Sequence, residues 1–180
     1  MIDQLEARER DASGHACDVA RLAVELASGL DLPPSDVRRI QLGAVVHDVG
    51  KLAVPRAILV KPGPLCESEW ELMRLHPTAG EQFVGPVFDS RTALTDACME
   101  TVRAIVRWHH ERWDGRGYPD GLRGDAIPLC ARVVAVADAF QAMIERRPYR
   151  RTLSREQALA ELEREAGHQF DPALPTLLAA

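Results

Sequence analysis

A chain of 180 residues that is 46% hydrophobic can bury a substantial core and is too apolar to be a disordered tail. With 22 Lys and Arg against 27 Asp and Glu, the net charge of −5 argues against a basic nucleic-acid-binding surface, so DNA is not an expected partner. No apolar run approaches the ~20 residues needed to cross a bilayer and no charged-then-apolar leader opens the chain. A cytoplasmic protein without membrane association is therefore expected, organised as one domain over 1–180. Cys17, Cys66, Cys98 and Cys130 are scattered without a C-x-x-C pair and read as small buried residues in a reducing compartment.

Hydrophobic periodicity is helical nearly throughout. Val19, Leu22, Ala23, Leu26 and Leu30 mark a first helix, stopped near Gly29 and Pro33-Pro34. Ser35 is an apt N-cap for a second, carrying Val37, Ile40, Ala44 and His47 and ending at Gly50. Pro55 to Leu65 reads as a connector. Glu67 to Val84 reads as one helix with Trp70, Met73 and Phe83 inward, and Gly85 to Thr95 as a loop. Asp96 caps a helix through Val102, Ile105 and Val106 that runs out at His109-His110. A glycine-rich loop follows, too aromatic to be a spacer, and then Leu129 to Ile144, the most apolar helix. Ser154 opens a short amphipathic helix, and Asp171 to Leu178 reads as a last one. The expected fold is an all-α bundle of about six to eight helices.

Three places put charge where a core should exclude it. His47-Asp48 follows Leu42-Gly43-Ala44-Val45-Val46, Asp138 interrupts Val133 to Phe140, and His109-His110 end the Ile105-Val106 face. His15 and His76 also lie on predicted helices. A lone histidine on an apolar face is ordinarily a hydrogen-bonded core residue, but five of the chain's six histidines sit this way, with two aspartates. His168, in a polar segment, reads as structural. Together His15, His47, Asp48, His76, His109, His110 and Asp138 exceed the four ligands of one tetrahedral ion. They suit two divalent metals with a bridging carboxylate and room for water. Without a thiolate, Fe or Mn is favoured, with Zn, Ni or Mg still open. Paired metals commonly generate hydroxide and stabilise an in-line displacement at phosphorus.

His47-Asp48-Val49-Gly50-Lys51 and His109-His110-Glu111-Arg112-Trp113-Asp114-Gly115-Arg116-Gly117-Tyr118-Pro119 resemble the two signature motifs of the HD-GYP domain. That is a subgroup of the HD metal-dependent phosphohydrolases whose usual substrate is cyclic di-GMP. The likeness extends to Lys61-Pro62-Gly63-Pro64-Leu65, His76-Pro77-x-x-Gly80, Arg147-Pro148-Tyr149-Arg150 and Gln169-Phe170-Asp171-Pro172, covering nearly the whole chain. It implies an HD-type bundle with the metal site in its core, the same seven ligands, and Asp48 as the bridge. It also implies Lys51 near a substrate phosphate or the attacking hydroxide, Arg147 and Arg150 on phosphate or base, and Gly117 and Tyr118 at the pocket lip. There the Tyr118 ring could stack on a guanine. Trp113 reads as core.

Two positions depart from the family pattern. Asp11 stands where some members carry a Glu that holds a third metal, so the metals number two, or three if Asp11 reaches one. Gln141 stands where an Asp is common; a neutral amide contributes no charge to metal or guanine recognition. The implied activity is hydrolysis of cyclic di-GMP by a metal-bound hydroxide to linear pGpG, with GMP after a second cleavage. The alternatives are a phosphohydrolase acting on another cyclic dinucleotide, such as cyclic GMP-AMP, or a non-catalytic module. Such a module would sense the dinucleotide or dock a diguanylate cyclase or other signalling protein through Gly115 to Pro119.

Overall fold

The computed structural model describes residues 2–89, 95–145 and 152–178, with side chains over 14–85, 95–145 and 152–178. Among the described residues there are eight α-helices: α1 Ile2–Gly29, α2 Pro34–Val46, α3 Arg56–Leu59, α4 Glu67–Met73, α5 His76–Asp89, α6 Asp96–Trp108, α7 Leu129–Ile144 and α8 Arg155–Arg164. Short 3₁₀ turns occupy Val49–Ala53, Gly124–Ala126 and Pro175–Leu178. No β-strand forms among the described residues; one isolated bridge pairs Ala166 with Phe170. No described helix is long and apolar enough to cross a membrane.

The most apolar helix is the central one. α7 packs against α1, α2, α6 and α8, and its Val133, Val134, Val136 and Phe140 are fully buried. Each such side chain contributes about 1.5–3 kcal/mol of burial free energy. They meet Val19, Leu22, Ala23 and Leu26 of α1, Ile40 and Ala44 of α2 and Ala158 and Leu162 of α8 in the main core. A second, smaller core joins Val84 of α5 to Cys98, Met99, Val102 and Val106 of α6. Ile105 and Val106, neighbours on α6, face different cores, so the end of α6 is delivered to the seam between them.

Several boundaries differ from the sequence expectation. Glu67 to Val84 is two helices, because Pro77 starts α5 and cannot continue α4. The break resets the helical phase, and residues assigned inward on one long helix turn outward: Trp70 is 46% exposed and Phe83 37%. Met73 is half-buried. α5 runs on to Asp89, into the segment expected to be loop. α2 begins after Pro33 without a side-chain cap and ends at Val46 rather than Gly50. The cap of α6 is Thr95, whose hydroxyl accepts from the Cys98 amide, not Asp96. Ser154 does cap α8, in a reciprocal box with Gln157. The last expected helix is a 3₁₀ turn. Only Cys98 is buried; Cys130 is half-buried, Cys17 and Cys66 are exposed, and all four are free.

Candidate metal centre

Three histidines are held by the same device. His47 ends α2 and its Nδ1 donates to the Ala44 carbonyl at 2.7 Å. His76 opens α5 and its Nδ1 donates to the Met73 carbonyl at 2.8 Å. His109 ends α6, with Nδ1 shared between the carbonyls of Ile105 (3.0 Å) and Val106 (3.1 Å). A carbonyl only accepts, so in the neutral ring the single proton sits on Nδ1 and the Nε2 lone pair faces the seam.

The Nε2 atoms of His76 and His109 lie 3.4 Å apart, and Asp48 Oδ1 is 3.3 Å from the first and 3.8 Å from the second. The His110 ring joins them, its centroid 4.1 Å from that of His109 and 4.9 Å from that of His76. His47, His15 and Asp138 form an adjoining group: Asp138 Oδ1 is 3.0 Å from His15 Nε2 and 3.9 Å from His47 Nε2. Asp48 touches both groups. Its Oδ1 faces His76 and His109, and its Oδ2 lies 3.4 Å from His47 Nε2 and receives a close hydrogen bond from the Lys51 ammonium.

The donor set fits cations. Two lone-pair nitrogens 3.4 Å apart repel each other unless a positive charge lies among them. His47 Nε2 and Asp48 Oδ1 are buried without a hydrogen-bond partner among the described residues, a costly state for polar atoms that have no ion to meet. Burial, then the neighbouring His110 and His47, holds His109 well below its usual pKa; burial and His76 bring His110 down to about 3. Both rings are therefore neutral and free to coordinate. Burial would lower His47 too, but Asp48 and Asp138 outweigh it and push it up to about 9. Burial opposes ionisation of Asp48, yet His47 and Lys51 keep its carboxyl well below the usual range.

The lip of the centre is loop 111–121. The Tyr118 ring stacks on His110, centroids 4.8 Å apart and planes 27° apart, and the Arg74 guanidinium lies over the same ring at 5.8 Å. A Cβ on Gly117 would stand 2.4 Å from the Arg112 nitrogen and 2.5 Å from the Glu111 Cα, so only glycine lets the loop fold back this tightly. Buried Glu111 braces the inside, its Oε1 accepting from the amides of Asp120 (2.7 Å) and Gly121 (3.0 Å). Asp120 is in turn held by Arg107 and by the Trp108 indole at 2.7 Å. The other end is tied to the C-terminal turn. Arg112 donates to Gln169 Oε1 (2.9 Å), and the amides of Trp113 and Asp114 donate to the carbonyls of Gln169 (3.1 Å) and His168 (2.8 Å). Arg132 joins the same turn through Asp171 at 2.6 Å and lies over the Trp113 ring.

The structure thus brings His15, His47, Asp48, His76, His109, His110, Asp138 and Lys51 together, with Gly117 and Tyr118 at the edge. Gln141 is one turn farther along α7, buried, and donates to Asp18 Oδ2 at 3.2 Å. Asp11 lies on α1 outside the described side chains, and Arg147 and Arg150 lie outside the described residues. Arg74 was not singled out from the sequence, and Glu111 and Gln169 to Asp171 were noted only as parts of the family likeness, with no role given to them. A carboxylate between two histidines and an arginine was the available signal for Glu111; the others depend on contacts between distant segments.

The family model of the HD domain matches residues 1–174. The chain belongs to the HD-domain family. Similar sequences include the cyclic di-GMP phosphodiesterase response regulator RpfG of Xanthomonas campestris pv. campestris, 39% identical over 93% of this chain and 43% of that protein. A Thermotoga maritima cyclic di-GMP phosphodiesterase is 37% identical over 93% of this chain and 44% of its own. The 3'3'-cGAMP-specific phosphodiesterase 2 of Vibrio cholerae is 37% identical over 99% and 33%. The HD-domain chain therefore spans less than half the length of these relatives. Among solved structures, an HDG"Y"P protein from Bdellovibrio bacteriovorus superposes with a TM-score of 0.71 at 23% identity, over 93% of this chain and 51% of that one. At that identity the likeness establishes the fold.

Proposed function

We propose that this chain is the hydrolytic HD-GYP unit, a single domain over 1–180, of a phosphodiesterase that cuts cyclic di-GMP to pGpG, with GMP after a second cut. The observation that carries the reading is the pair of adjoining nitrogen and oxygen donor groups that share Asp48. His76, His109, His110 and Asp48 would hold one divalent ion and His15, His47, Asp138 and Asp48 another, with a third if Asp11 reaches it. The all-nitrogen-and-oxygen set favours Fe or Mn over Zn, Ni or Mg. When bound, such ions would lower the pKa of water towards neutrality and offset charge on a phosphoryl group.

The chain's own residues supply the rest. The carbonyl-tethered imidazoles of His76 and His109 keep their lone pairs aimed without reorganisation, and His47 would do so once its Nε2 proton is given up. Lys51, seated on Asp48 Oδ2, would meet the negative charge that grows on a phosphoryl group held at the centre. Tyr118 keeps its proton, since burial and then Asp48 raise its pKa, so it lines the lip as a neutral ring. Arg147 and Arg150 would add phosphate or base contacts, and Gln141 would alter rather than abolish recognition.

Of Gly115 to Pro119 only Arg116 is exposed, which supports a pocket wall over a docking loop for a diguanylate cyclase. Cleavage of cyclic GMP-AMP is the second reading, favoured by the Vibrio cholerae relative that aligns with 99% of the chain. The test is anaerobic purification, elemental analysis and chromatography of products from both dinucleotides on one sample. pGpG from cyclic di-GMP is expected, with metal content and turnover lost together in Asp48→Ala. An Asp48→Ala variant as active as the parent would sink the shared-carboxylate reading.

A further inference from the structure

Three arginines around loop 111–121 are committed to ion pairs. Arg107 is neutralised by Glu81 and Asp120, Arg112 by Asp114, and Arg132 by Asp171 and Asp125. Their charge is spent on holding the loop. Arg74, like Arg116 and Arg123, has no carboxylate at ion-pair distance among the described residues; it is exposed and ends α4 two residues before His76. Its guanidinium lies over the Tyr118 ring, whose stacking partner is His110 of the metal centre. An uncommitted planar cation is thus carried on the rim, one aromatic ring away from a candidate ligand.

A cyclic dinucleotide carries two phosphates, and only one can occupy the reacting position at a time. The other retains its full charge and would need a cation of its own on a chain whose net charge is −5. We propose that Arg74 is a substrate-binding residue that takes the non-scissile phosphate while Lys51 and the Asp48 centre take the scissile one. This rests on the cyclic-dinucleotide reading above. A guanidinium suits the task because its fork matches two phosphate oxygens at once, while its flat face stays on Tyr118. Tyr118, covered by His110 and by Arg74, then acts as the shelf for that cation rather than as a bare stacking surface.

The experiment compares the metal-loaded parent, Arg74→Ala and Arg74→Lys on cyclic di-GMP and on bis(p-nitrophenyl) phosphate, a diester with one phosphate. The expected result is that Arg74→Ala raises KM for cyclic di-GMP by about tenfold or more, the weight of one charge-assisted contact. The kcat for cyclic di-GMP and the kcat/KM for the small diester should move far less, metal content should be unchanged, and Arg74→Lys should recover part of the loss. Equal losses on both substrates would mean that Arg74 only supports Tyr118, and no loss on cyclic di-GMP would mean it makes no contact; either overturns the proposal. Equilibrium binding of cyclic di-GMP separates the two levels. If the parent binds without cleaving, the hydrolytic reading fails while the Arg74 contact is still decided by whether Arg74→Ala weakens binding. If the parent does not bind, both fail.

Discussion

Gly50→Ala should damage the centre without replacing any candidate ligand. A Cβ at position 50 would lie 1.8 Å from the His76 carbonyl oxygen and 2.5 Å from the Gly80 nitrogen, both backbone atoms that cannot swing aside. Restoring ordinary contact, about 3.5 Å, requires the Val49–Ala53 turn to back away from α5 by roughly 1.7 Å. Asp48 and Lys51 flank Gly50 and would travel with it, opening the 3.3 Å gap between Asp48 Oδ1 and His76 Nε2. Ligand bonds near 2 Å leave no slack for that movement, and a ~1 Å misplacement of a reacting group costs on the order of 100-fold in rate. The loss of stability should reach about 3 kcal/mol, the upper end for overpacking. Urea denaturation and elemental analysis of the same preparation give both numbers. Gly14→Ala is the control, since nothing lies within 4 Å of a Cβ there, and it should stabilise α1 by about 0.5–1 kcal/mol. A Gly50→Ala protein with parental stability and metal content would refute the close-approach argument.

Two further outcomes follow from the same geometry. Asp171→Asn removes the buried partner of Arg132 and leaves only the exposed Asp125, so stability should fall by about 2–3 kcal/mol in urea; an unchanged midpoint would show that the C-terminal turn does not brace the loop. His47 has its pKa raised from 6.5 to about 9, so its contribution to the metal-free fold is present below 6.5 and is lost as pH rises through 9. An entering ion must displace that proton, so metal affinity should climb by up to about tenfold per pH unit and level off above about 9. Titration in a weak buffer should show the released proton, and an affinity flat between pH 7 and 8.5 would contradict the assignment.

Much of the site was legible because it breaks local rules. Asp138 inside an apolar helix and His109-His110 at the end of another are anomalies that a single sequence displays, and the helices carrying them have long, regular periods. The α4–α5 break was harder, because seven residues of α4 continue the apolar count toward α5 and only Pro77 marks the change of phase. The 3₁₀ turn at Val49–Ala53 has no period of its own; it exists because two backbones meet at Gly50 and Gly80. The braces at Gln169 and Asp171 join segments more than 35 residues apart from their partners, and no local pattern encodes such pairings.

The three carbonyl tethers carry a consequence for the order of binding. His47, His76 and His109 each take up a carbonyl from the last turn of α2, α4 or α6, so three helix C-termini converge on one seam. Each terminus carries up to about half a negative charge from its aligned peptide dipoles, felt over the last turn. Lys51 and the protonated His47 offset Asp48 and Asp138, and the first turn of α5 at His76 opposes the termini, so the metal-free seam is balanced rather than strongly negative. The Ala44 tether keeps one His47 proton on Nδ1, so the proton that balances the bare seam sits on Nε2, and the order is set at that atom: the proton leaves, and a cation can take its place.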